Sequence, residues 1–176
     1  MQTNKWGPHG WTFLHFTTFG YPEKPTQEQK EGYKNFYNGL KYALPCDLCR
    51  KSFGMFLDNI PIDEFLEDRH GVVFWFWAVH NLVNCKLHKE ARPELHDVVK
   101  EYFGMRAGCG NPDVQDPEEK AKVHQCQAQK AQNVDEEEVK TFVDTAMQKY
   151  SAMFAERAKE WSCVYLTLKQ KKTNEH

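Results

Sequence analysis

From Val72 to Val79 the chain reads Val-Val-Phe-Trp-Phe-Trp-Ala-Val, its longest uninterrupted apolar run at eight residues. A membrane-crossing helix needs roughly 20, so the run predicts burial within the protein. It lies in a stretch that reads as helix from about Gly71 to Lys89. His80, Asn81 and Asn84 follow directly, which embeds polar groups in the most apolar part of the chain. Burying such groups without partners costs about 1–3 kcal/mol each. The stretch therefore predicts a buried aromatic helix whose polar side chains need partners.

Other helices are legible on both sides of it. Trp11, Leu14, Phe16 and Phe19 recur at helical spacing after Gly7-Pro8, which reads as a helix start. Tyr21-Pro22 ends that helix. Thr26 with Gln29 predicts a capping box, opening a second helix that carries Tyr33, Phe36, Tyr37, Leu40 and Tyr42 and stops at Pro45. A third starts at Cys46-Asp-Leu-Cys49 and carries Phe53, Phe56 and Leu57. Asn59-Ile-Pro61 breaks it, Ile62 to Leu66 adds a short turn, and Pro93 to Phe103 reads as a shorter fifth helix. No strand pattern of useful length and no internal repeat is present. Residues 1–104 are thus expected to form one all-α unit. Gly104 to Gln132, rich in Gly, Pro and polar residues, reads as a linker over 105–133. Residues 134–176 read as a helical extension. Asp135-Glu-Glu-Glu138 suits a helix N-terminus, and Val139, Phe142, Val143, Ala146, Tyr150, Met153, Phe154 and Trp161 form an amphipathic stripe. That helix must pack on the first unit or on a partner.

A formal charge of −2 argues against a nucleic-acid partner. The opening Met1-Gln-Thr-Asn-Lys-Trp6 lacks the apolar core of a signal peptide, and a reducing, cytoplasmic location is expected. Six cysteines with a single close pair do not read as a disulfide scaffold.

That pair, Cys46 and Cys49, stands i, i+3 at a helix N-terminus, where two sulfurs can bond. The helix dipole and free N–H groups favour a thiolate on Cys46. An outside thiolate would attack Cys46 and leave Cys49 free to pass electrons inward. A zinc-stabilised interaction module using Cys46 and Cys49, completed by Cys109, His124 and Cys126, is the alternative. A helical adaptor with the last helix as its working surface is another. His80 and Asn84 share a face, as do Trp11 and His15 on the first helix. Each pair is either a set of satisfied core residues or the lining of a ring-shaped ligand. Lys86 and Lys89 would either hold a phosphate or lie in solvent.

Together these residues resemble the Erv/ALR family of FAD-linked sulfhydryl oxidases. Trp6-Gly7-Pro-His-Gly-Trp11-Thr-Phe-Leu-His15 is similar to the family's opening element, and Tyr21-Pro22 to its Tyr-Pro turn. Pro45-Cys46-x-x-Cys49 matches the active-site motif. Trp75, His80, Asn81, Val83, Asn84, Lys86, Leu87 and Lys89 match the flavin helix in order and spacing. The resemblance covers about residues 6 to 103.

It implies a four-helix bundle plus a short fifth helix cradling FAD. Gly7, Trp11, His15 and Tyr21 would lie near the cofactor. Trp75, His80, Asn81, Val83, Asn84 and Leu87 would line it, and Lys86 and Lys89 would meet its phosphate-ribose part. Substrate-protein thiols would reduce Cys46–Cys49, and the electrons would pass through FAD to O2, giving hydrogen peroxide. The resemblance also implies a homodimer. Many cellular members carry a structural disulfide whose two positions fall here at Trp77 and Glu94, so that staple is missing. No second Cys-x-x-Cys pair is present. Electrons would arrive directly from a substrate or through Cys109, Cys126 or Cys163, which read more simply as unpaired thiols. The unstapled form is similar to members from large DNA viruses, which implies action in the host cytoplasm or in the virion.

Overall fold

The structure is a computed structural model that describes residues 1–90, 92–105 and 134–159, with positions 117, 118 and 122. Every element among the described residues is helical. Helix α1 spans Thr3–Phe19, α2 Gln27–Ala43 and α3 Asp47–Asn59; a 3-10 turn covers Ile62–Phe65. Helix α4 spans Arg69–Lys86, α5 Leu95–Gly104 and α6 Glu136–Arg157.

Helix α4 is the axis of the molecule. Val72 through Val79 are all buried, as expected of a helix that is apolar on every side. Helices α1, α5 and α6 pack around it, while α2 pairs with α3. The packing is largely aromatic. Tyr37 of α2 meets Trp75 edge-on at 5.2 Å, Trp11 of α1 meets Phe76 at 5.5 Å, and Phe154 of α6 meets Phe74 at 5.8 Å.

Local chemistry sets most helix ends. Thr26 and Gln29 form the reciprocal capping box on α2. Asp68 caps α4 by accepting from the Gly71 N–H at 3.0 Å. Three helices differ at their boundaries from the sequence reading. Helix α1 begins at Thr3 and runs through Pro8 in its second turn, where the missing N–H leaves Asn4 O without its helical donor and the ring crowds that carbonyl. Helix α4 starts at Arg69, because Asp68 is its cap, and ends at Lys86. His88 then adopts a left-handed φ of 53° and the chain folds back, with Lys89 N–H donating to Asn84 O at 3.0 Å. Lys89 is therefore off the helix. Helix α5 begins at Leu95, past Pro93.

Helix α6 buries the stripe Val139, Phe142, Ala146, Tyr150 and Phe154 against α4 and α5. Polar contacts tie it along its length. Glu136 pairs with Lys100, Arg157 pairs with Glu64, and Lys149 and Tyr150 reach Asp68 at 2.7 and 3.2 Å. Burial pushes the Asp68 carboxyl up, but Lys149, the Gly71 N–H and His70 together hold it below its ordinary value. Trp161, at the end of the predicted stripe, lies outside the described residues.

Candidate functional site

Cys46 and Cys49 are joined as a disulfide, with Cα atoms 5.1 Å apart. Pro45 ends the approach from α2, and Cys46 is the N-cap of α3 in extended conformation. Its Sγ accepts from the Cys49 N–H at 3.3 Å. Arg50 braces the turn by donating to Leu44 O at 2.7 Å and to Asp47 at 3.3 Å. Both cysteines are half-buried, so the bond is reachable from outside. Joined in this way, the two sulfurs offer no thiolate to a metal. Among the described residues no group of three or more His, Cys, Asp or Glu side chains is placed to hold one. Cys109, His124, Cys126 and Cys163 lie outside the described residues. Cys85 of α4 is disulfide-bonded.

One turn beyond Cys49, Ser52 takes a hydrogen bond from Lys86 Nζ. This contact joins the reactive end of α3 to the last turn of α4. Toward the middle of α4 lies a second cluster. His80 and Trp11 stack with centroids 3.8 Å apart and planes 5° from parallel. His80 Nδ1 and His15 Nε2 share a hydrogen bond of 3.0 Å. His15 also meets Phe76 edge-on at 4.8 Å and faces Tyr102 of α5 at 5.1 Å. Burial, reinforced by His80, lowers the His15 pKa to about 3. Burial, then Lys89, lowers that of His80 to about 4. Both rings are therefore neutral near pH 7 and share one proton between the facing nitrogens. Among the described residues, His15 Nδ1 is left buried with no partner, as is Asn81 Oδ1.

The structure thus brings together Trp11, His15 and His80, residues far apart in sequence. Asn84 is buried one turn along α4, with Val83 half-buried beside it. Lys86, Leu87 and Lys89 are exposed at the end of the helix, and a side chain at Gly7 would meet open space. Three other expected site residues face elsewhere. Tyr21 is fully buried and donates to Leu66 O at 2.9 Å. Trp75 is fully buried and donates to Ile60 O at 2.9 Å. Asn81 donates its amide to Pro93 O at 3.1 Å. Sequence reasoning missed Tyr102 and Ser52. The only local signal for Ser52 is its i+3 spacing from Cys49, and Tyr102 has none.

The Erv1 / Alr family model matches residues 8–103. A probable FAD-linked sulfhydryl oxidase of Acanthamoeba polyphaga mimivirus is 42% identical over 85 residues, covering 48% of this chain and 59% of that protein. The mitochondrial FAD-linked sulfhydryl oxidase of Saccharomyces cerevisiae is 37% identical over 84 residues, covering 47% and 43%. The chain thus spans about half the length of the curated relatives it matches. The crystal structure of the FAD binding domain of Erv1 from Saccharomyces cerevisiae superposes with a TM-score of 0.54 at 30% identity, over 58% of this chain and 94% of that one. Pattern, fold and family model agree over the same helices: the chain belongs to the Erv1 / Alr family.

Proposed function

We propose that this chain is an FAD-dependent thiol oxidase that makes disulfides in substrate proteins. The observation that carries the reading is the reachable Cys46–Cys49 disulfide at the N-cap of α3, linked through Ser52 and Lys86 to the helix bearing His80. A substrate thiolate attacks Cys46 Sγ, breaking its bond to Cys49 and forming a mixed disulfide. A second substrate thiolate then releases the oxidised substrate and leaves Cys46 and Cys49 reduced. Bound FAD supplies the two-electron chemistry that reoxidises the pair and delivers the electrons to dioxygen as hydrogen peroxide.

The residues present fit that group. The orphaned His15 Nδ1 calls for a polar partner between α1 and α4. Trp11 and His80 offer flat faces, and Lys86 and Lys89 offer cations for a pyrophosphate. Gly7, Val83, Asn84 and Leu87 complete the lining. Tyr21 and Trp75, with their polar atoms already paired, support the frame in this reading.

The finer reading is a core over residues 1–104, a connector over 105–133 and a helical extension over 134–176; the family match ending at 103 supports it. We also infer a homodimer formed through α1 and α2, whose Phe13 and Phe36 are exposed and meet at 6.4 Å. Phe36→Lys then yields monomers by light scattering, and an unchanged mass sinks the interface. Action in a cytoplasm, that of the host for a viral chain, rests on the likeness to the mimivirus relative.

The test is the visible spectrum of the purified protein followed by dithiothreitol in air. Flavin absorption that bleaches and recovers as peroxide forms is the expected result. A colourless protein that takes up no FAD and carries zinc overturns it.

A further inference from the structure

Trp77 and Asn81 stand one turn apart on α4 and donate to a single acceptor. Trp77 Nε1–H reaches Pro93 O at 2.9 Å, and the Asn81 amide reaches the same oxygen at 3.1 Å. Both side chains are buried, at 6% and 7% exposure. Pro93 lies in the connection from α4 to α5 and has no N–H to tie that connection down. Its carbonyl has two lone pairs, and α4 takes both. Helix α5 begins two residues later, at Leu95, and carries Tyr102 against His15.

We propose that Trp77 and Asn81 form a hydrogen-bonded latch on Pro93 that sets α5, and with it Tyr102, over the His15–His80 pair. Trp77 and Glu94, the residue directly after Pro93, stand on the two sides of this junction. A disulfide between such positions would be open to attack by thiolates, and hydrogen bonds to a carbonyl are not. A chain that works on thiols thereby keeps this junction closed however reducing its surroundings. Trp77 is a positioning residue in this account, acting on the site through Pro93 and α5. The inference rests on the flavin reading given above.

The test titrates FAD into apo-protein, read by flavin fluorescence, with and without dithiothreitol. All variants carry Cys49→Ser, so that the reductant does not reach the flavin through the active pair. If the Cys49→Ser parent binds no FAD, the flavin reading fails, whatever the latch does. If it binds, Trp77→Phe, which keeps an aromatic ring and loses the N–H, is expected to raise the Kd roughly fivefold. Trp77→Cys/Glu94→Cys is expected to restore parental affinity when oxidised and to lose it in dithiothreitol by more than the parent does. A Trp77→Phe variant with the parental Kd overturns the latch. So does an oxidised double-cysteine variant that binds no better than its reduced form. If the double variant fails to fold, Trp77→Phe decides alone.

Discussion

The two sulfurs of the Cys46–Cys49 disulfide are unequal because of where α3 begins. Cys46 is the cap, beside the free N–H groups and the positive end of the helix dipole, and Cys49 lies one turn inside. Cys49→Ser is expected to abolish thiol oxidation, measured as oxygen consumption, while leaving FAD bound. Turnover at the parental rate would refute the assignment. Cys46→Ser should likewise stop the oxidation of protein thiols, because the incoming thiolate loses its target. The histidine pair makes a different demand. Both rings are held below their ordinary 6.5, His15 to about 3 and His80 to about 4, in each case chiefly by burial. Below pH 6.5 the unfolded chain takes up protons that the folded state refuses, so stability falls as pH drops from there toward 4. The urea midpoint should be lower at about pH 5 than at about pH 7, and His80→Gln should flatten that slope. A parental slope in the variant would mean that other groups carry the dependence.

At the scale of elements, the N-terminus of α4 packs closely against the 3-10 turn and α6. A Cβ added at Gly71 would lie 2.2 Å from Phe65 O and 2.8 Å from Tyr150 Cζ. Alanine normally gains about 1 kcal/mol over glycine inside a helix. Here the obstacle is backbone of the 3-10 turn on one side and a buried ring on the other, so overpacking of about 1–3 kcal/mol wins. Gly71→Ala should lower the midpoint of chemical unfolding, and a raised midpoint would show that the joint can open. The same joint explains why α6 is more than an appendage. Its Lys149 and Tyr150 hold Asp68, the cap of the helix that carries His80.

Across the whole molecule, α6 completes a core that the first five helices leave open. Phe142 packs on Phe19 and Phe103, Tyr150 on Phe65, and Phe154 on Phe74. A chain ending at Gly104 would expose those rings to water. It is expected to melt without cooperativity and to bind a hydrophobic dye, by circular dichroism and fluorescence. A soluble truncation with parental melting would make the extension dispensable.

The sequence by itself determined what short-range interactions decide. The capping box at Thr26 and Gln29, the stop at Pro45, the break at Asn59-Ile-Pro61 and the buried stripe of α6 each depend on residues a few positions apart, whose geometry helix periodicity sets. The pairing of Cys46 with Cys49 was legible for the same reason, since a spacing of three at a helix start puts two sulfurs within bonding reach. Pro8 misled because α1 runs through it from Thr3 despite the lost bond to Asn4, and the left-handed turn at His88 ends α4 where periodicity alone would continue it. Only the tertiary structure decided that His15 meets His80 across 65 positions, that Tyr102 packs on His15, and that Asn81 reaches for Pro93. Those contacts depend on how whole helices dock and rotate against one another. Docking is set by the summed packing of many aromatic side chains, and no single spacing in the chain encodes that sum.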